Sequence, residues 1–195
     1  VDIHGDAFER QIMPRPGVHF DIDVALMETD SQMLANGITT AYHGVTYSWE
    51  PGLRGRGNFL EILDALERLE DDLRCDTRMH IRFETYNIDA AEEVADWVLQ
   101  GRIGLFAFND HTPEIYEERT NHSKMTKYAD RGGLSYEGFL DLLEKVHSRA
   151  DEVPGVVDRL SAAARQAGDA GLRLGHGADY QAVGQRGPGI VDRAP

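Results

Sequence analysis

The sequence predicts an α/β fold built on a parallel sheet, and three features predict it. Apolar runs of strand type alternate with runs in which apolar residues recur every three to four positions. Successive strand-type runs lie roughly 30 residues apart, the length of a βαβ unit. Polar residues of ligating type fall where the strand-type runs end, and parallel sheets bind ligands at the carboxyl ends of their strands. About five strands are counted in the 195 residues, whereas a complete eight-stranded barrel takes about 250 residues and at least 200. The expectation is a partial (β/α) barrel of TIM type, about five parallel strands with outer helices. It is expected to occupy residues 1–170, with a poorly specified, glycine-rich tail over 171–195.

The elements follow in order. Residues 1–6 read as a strand, and His4 and Asp6, two apart, share one of its faces. Residues 22–35 read as a helix with Val24, Leu26, Met27, Met33 and Leu34 on a broad apolar face, ended by Gly37. A β-branched run over 38–45 follows and contains His43. Asn58 is the expected N-cap of a helix carrying Phe59, Ile62, Leu63, Leu66, Leu69 and Leu73. Residues 79–85 alternate strictly, with Met79, Ile81 and Phe83 on one face and His80, Arg82 and Glu84 on the other. A short helix over 90–99 leads to an almost wholly apolar strand over 103–108, as expected where both faces are covered.

Residues 111–134 show no apolar period and are expected to form a long irregular segment, mobile without a ligand. Ser135 then caps a helix with Phe139, Leu142, Leu143 and Val146 inward. Pro154 starts another, with Val156, Val157, Leu160, Ala163, Ala164 and Ala167 inward and Gly168 at its end. A weak last strand is expected over 172–174.

Composition limits the function. At 41% hydrophobic and 28% charged, the chain is an ordinary globular sequence. A formal charge of −14 opposes nucleic acid or an anionic membrane surface as partner. No apolar run approaches the ~20 residues of a membrane helix, and the single cysteine, Cys75, fits a reducing compartment, so a cytoplasmic location is expected. The one cationic stretch holds Arg119, His122, Lys124, Lys127 and Arg131 with a single acid, Asp130. His19, His43 and His147 read as structural, and Trp49 and Trp97 as packing residues.

His4, Asp6, Glu84, His111 and His176 all fall at or just beyond strand ends. Imidazole and carboxylate donors gathered there suit a divalent ion such as zinc, manganese or iron. Several motifs sharpen this reading. Residues 2–10, DIHGDAFER, then PRPGV over 14–18, GITT over 37–40, HIRFE over 80–84, DHTP over 110–113 and Lys127-Tyr128 together resemble one branch of the amidohydrolase superfamily. That branch comprises the diphosphatases of the carbon–phosphorus lyase route, which act on α-D-ribose 1-methylphosphonate 5-triphosphate.

The resemblance covers roughly residues 1–170 and implies a metal-dependent hydrolase releasing pyrophosphate in alkylphosphonate utilisation. It implies His4 and Asp6 as the opening ligand pair, Glu84 as a bridging carboxylate, and His111 and His176 as further ligands. Arg15, Lys124 and Lys127 would then neutralise phosphate charge. No residue matches the last-strand aspartate of the superfamily, so the catalytic base is unassigned. The sequence is expected to be either a fragment or a shortened relative. Two alternatives stand beside the diphosphatase: an inactive barrel fragment that binds metal or a partner, and an amidohydrolase acting on C–N bonds. Open sheet edges lead to the expectation of a homo-oligomer.

Overall fold

The computed structural model describes residues 1–5, 7–15, 17–168 and 173–174, with the backbone alone at 3–5, 7, 173 and 174. It is a mixed α/β structure with a parallel sheet. The best-developed part of that sheet is three strands, β2 (Thr40–Tyr47), β3 (Asp76–Glu84) and β4 (Leu105–Asn109). They run parallel in continuous register, Thr46 beside Arg82 beside Ala107 and Glu84 beside Asn109. At its edges β1 (Asp2–Gly5) pairs with β2 at Ala41 and His43, and β5 (Arg173–Leu174) pairs with β4 at Leu105 and Phe106. Strand order therefore follows chain order.

Alternation along β3 works as the sequence predicts, and β2 and β4 add side chains to the same core. Val45, Tyr47, Met79, Ile81, Phe83, Phe106 and Phe108 enter the main apolar core. They meet α1 (Ala7–Ile12), α2 (Ile22–Ala35), α3 (Arg56–Arg68), α4 (Ala91–Leu99) and α8 (Val153–Gly168). Three rings fix its centre: Phe59 stacks on Tyr47 at 4.9 Å and on Trp97 at 5.5 Å. Such aromatic contacts add about 0.5–1.5 kcal/mol per pair to the burial itself.

The sequence reading needs four corrections. The six residues of α1, which bury Phe8 and Ile12, are too short to show a period and were not expected. Helix α2 has the expected bounds but another rotation: Val24 and Met27 are exposed, and Ile22, Ala25, Leu26, Thr29, Asp30 and Met33 face inward. With apolar residues all round, the period could not choose a face. The buried Asp30 carboxylate, which accepts the backbone N–H of Arg74 at 3.0 Å and of Cys75 at 2.7 Å, fixes it instead.

Helix α3 starts two residues before Asn58, with Gly55 at its N-cap. The Asn58 amide donates backward to the Leu53 carbonyl at 2.7 Å rather than capping.

The fourth correction concerns residues 111–134, which are not irregular. They form α5 (Thr112–Glu117) and α6 (His122–Gly132). Pro113 stands in the first turn of α5, Asn121 caps α6 by accepting from the Lys124 N–H at 3.2 Å, and Gly133 ends it at φ 67°. Met125 and Ala129, four apart, are the inward stripe. With α7 (Tyr136–His147), capped by Ser135 as expected, the two helices enclose a second apolar cluster of Ile115, Met125, Ala129, Phe139 and Leu143. This helical cap is tied to the loop after β2. Arg131 gives three hydrogen bonds to the buried Glu50 carboxylate, at 2.6–3.0 Å, and lies 4.9 Å from the Tyr128 ring.

Candidate functional site

Parallel strands end together, so residues just past their carboxyl ends converge. Glu84 closes β3 and Asn109 closes β4 directly beside it. The chain continues as Asp110 and His111 before α5 begins. This short link returns His111 onto Glu84: its ring Nδ1 lies 2.6 Å from Oε1, and its backbone N–H donates to Oε2 at 3.3 Å.

Glu84 is 4% exposed, and a carboxylate taken that far from water requires donors or an opposite charge. His111 supplies both donors. In the tautomer with the proton on Nδ1, the lone pair of the neutral ring lies on Nε2. Oε2, holding only the longer hydrogen bond, keeps acceptor capacity. The pair places one imidazole and one carboxylate, both of ligating type, at the ends of adjacent strands.

Two further contacts hold the link. Thr85 Oγ1 donates to Asp110 Oδ1 at 2.8 Å, and the Thr85 N–H donates to the Asn109 carbonyl at 2.9 Å. On the other side of His111, Trp49 Nε1 donates to Thr112 Oγ1 at 2.9 Å. Sequence reasoning missed Thr85 and Trp49. Trp49 lies 63 positions from Thr112, and nothing local to an indole between Ser48 and Glu50 signals a hydrogen bond that distant. Asp110 and Thr112 did carry one, as flanks of His111 in DHTP.

The other expected residues are placed as follows. The side chains of His4 and Asp6, and all of His176, lie outside the described residues, as does the tail apart from Arg173 and Leu174. Arg15 is exposed in a turn closed by the Val18 N–H on its own carbonyl at 3.1 Å. Lys127 is exposed on α6. Lys124, three positions earlier, holds both oxygens of Glu118 at 2.5 Å, so a phosphate would have to compete for it. Among the described residues, no group of three His, Cys, Asp or Glu side chains gathers as a metal site. Glu84 and His111 fit a divalent ion as two members of a donor set, and the strand-one pair would have to complete it.

A cavity of about 460 Å³ opens beside this region, lined by Tyr47, Trp49, Glu50, Arg56, Asn87 and Glu93 among others. Its three acids are already matched: Glu50 by Arg131, Asp89 by Arg149, and Glu93 by Arg56, whose guanidinium it holds at 2.6 Å. Burial, and then the Glu93 carboxylate it donates to, pushes the Tyr47 phenol well above its usual range. A larger cavity of about 510 Å³ lies at the opposite, amino-terminal ends of β3 and β4, beside Asp76, Met79, Ile103 and Gly104. In sheets of this kind that end serves stability rather than chemistry.

No helix among the described residues is long and apolar enough to cross a membrane. No family model, curated protein or solved structure matches the chain.

Proposed function

We propose that this chain is a metal-dependent hydrolase of the amidohydrolase type, built on part of a (β/α) barrel. Its substrate would be a phosphorylated ribose phosphonate, and its product pyrophosphate. The observation that carries this reading is the meeting of Glu84 with His111 at the carboxyl ends of adjacent parallel strands. The sequential strand order supports the barrel. Right-handed crossovers that always step the same way put every helix on one face, as in a barrel, whereas a doubly wound sheet reverses its order midway.

Glu84 and His111 would hold the ion together with His4, Asp6 and His176. The chemistry a divalent ion supplies in such a place is acidification of water and polarisation of a phosphoryl oxygen. Water would add to the phosphorus nearest the ribose, the bond from that phosphorus to its bridging oxygen would break, and pyrophosphate would leave with that oxygen. Arg15 and Lys127, both exposed, and Lys124 once released from Glu118, would offset the charge of the phosphates.

The test joins binding to turnover. Zinc or manganese is titrated into the chelator-treated protein by calorimetry, and pyrophosphate release from α-D-ribose 1-methylphosphonate 5-triphosphate is then followed with the ion present. Saturable binding and turnover are expected, both lost in Glu84→Gln and His111→Ala. Binding without turnover would remove the diphosphatase and leave a metal-binding barrel fragment. Absence of binding would overturn the reading.

A further inference from the structure

We infer that Trp49 is a positioning residue: its indole N–H, through Thr112, makes the orientation of His111 depend on docking of the helical cap. This rests on the reading of Glu84 and His111 as a metal-binding pair, and it adds a control that neither residue supplies.

Thr112 is wholly buried and follows His111 directly. Its hydroxyl accepts from Trp49 Nε1 at 2.9 Å. The same indole packs against the cap, its ring centroid 5.9 Å from that of Phe139, a residue with no exposed surface. One side chain therefore touches the cap's apolar cluster with its ring and the His111 segment with its N–H. On the far side, Thr85 grips Asp110 at 2.8 Å.

His111 thus sits between two anchored neighbours, Asp110 tied to Thr85 at the end of β3 and Thr112, at the head of the cap, tied to Trp49 on the loop after β2. Its bond to Glu84 is short, and shifts of about 0.5 Å already matter for a ligating geometry. If the cap lifts from the loop after β2, Thr112, the first residue of α5, is drawn away from Trp49, and that end of the link is released. Burial of Thr112 favours the bond being kept, because its hydroxyl has no water to turn to.

Two variants separate positioning from packing. Trp49→Phe keeps an aromatic ring against Phe139 but has no N–H. Thr112→Val keeps the volume but has no hydroxyl, and Thr112→Ser restores the hydroxyl. The first readout is the Nδ1-bound proton of His111 in the metal-free protein by NMR, a sharp downfield resonance when it is held by Glu84. Broadening or loss is expected in Trp49→Phe and in Thr112→Val, with recovery in Thr112→Ser. The second readout is zinc affinity, expected to fall 10–100-fold in the same two variants, the range for residues that orient a ligand. The double variant should be no worse than either single one. Folded single variants with an unchanged His111 resonance would overturn the inference. So would Thr112→Ser behaving like Thr112→Val, which would show that the methyl group, not the hydroxyl, does the holding. If wild-type protein binds no zinc, the metal reading fails by itself, and the NMR comparison still decides the positioning role.

Discussion

Glu84 and His111 touch twice, ring Nδ1 to Oε1 at 2.6 Å and backbone N–H to Oε2 at 3.3 Å. The double contact makes the pair a structural unit even without a ligand. A residue that meets its partner through both its ring and its backbone couples its own placement to that of the strand end, and its neighbours Asp110 and Thr112 set how well both contacts are made.

Removing the imidazole alone should therefore be worse than removing it together with the carboxylate charge. His111→Ala leaves the buried Glu84 carboxylate without its closest donor, and an unsatisfied buried group of this kind costs about 1–3 kcal/mol. Adding Glu84→Gln to that variant should recover part of the loss, because a neutral amide is cheaper to bury than a carboxylate. Urea unfolding of the wild type, both single variants and the double variant gives the coupling directly. Strict additivity would show that the two side chains do not depend on each other.

A second prediction concerns pH. His43 on β2 is 2% exposed, lies 5.0 Å from the Phe8 ring, and has an Nδ1 without a hydrogen-bond partner. Burial lowers its pKa to about 4, against a weaker opposing pull from Asp2. Between about 4 and 6.5 the unfolded chain binds a proton at this histidine that the folded chain refuses. Stability from this group is thus complete above about pH 6.5 and falls with pH until about 4. The full effect is about 3 kcal/mol, at ~1.4 kcal/mol per pKa unit. His43→Leu should flatten that part of the pH profile and leave stability at pH 7.5 nearly unchanged or raised. Matching slopes for the two proteins between pH 4.5 and 6.5 would refute it.

What could be read from the sequence divides along physical lines. Strand β3 was legible because period-two alternation is local, and Met79, Ile81 and Phe83 need only their own neighbours to declare a face, while β2 and β4 showed as a β-branched and a near-continuous apolar run. Ser135 was legible for the same reason, since a cap is a contact three residues long. The rotation of α2 was not, because Asp30 is fixed by backbone groups 44 and 45 positions away. Helices α5 and α6 were missed because they are short and bury few side chains, Thr112 and Ile115 in one and Met125 and Ala129 in the other, too few to declare a helical stripe. Glu84 and His111 could be singled out as polar residues at strand ends, and the structure brings them together. What holds them, Thr85 and Trp49, is a matter of tertiary approach.

The last prediction tests how closely the cap meets the loop after β2. Gly52 has φ 77°, and a Cβ there would stand 2.8 Å from the Arg131 carbonyl oxygen and 3.3 Å from Gly132 Cα. Gly37 has the same φ with nothing within 4 Å of its Cβ position. Alanine at Gly37 therefore reports the backbone strain alone, about 1–2 kcal/mol. Alanine at Gly52 carries that strain plus a clash with backbone that has no flexible end to yield. Relief requires α6 to back away, and α6 carries the Arg131 guanidinium that neutralises buried Glu50. Losing that partner would cost about 3–5 kcal/mol, so the cap cannot shift without consequence. Gly52→Ala should be more destabilising than Gly37→Ala by at least about 1 kcal/mol in urea unfolding. Hydrogen exchange should show lost protection across α5, α6 and α7 rather than in β3 or β4. Equal effects of the two substitutions, or loss of protection confined to the sheet, would mean that the loop and the cap are not in the close contact from which His111 takes its orientation.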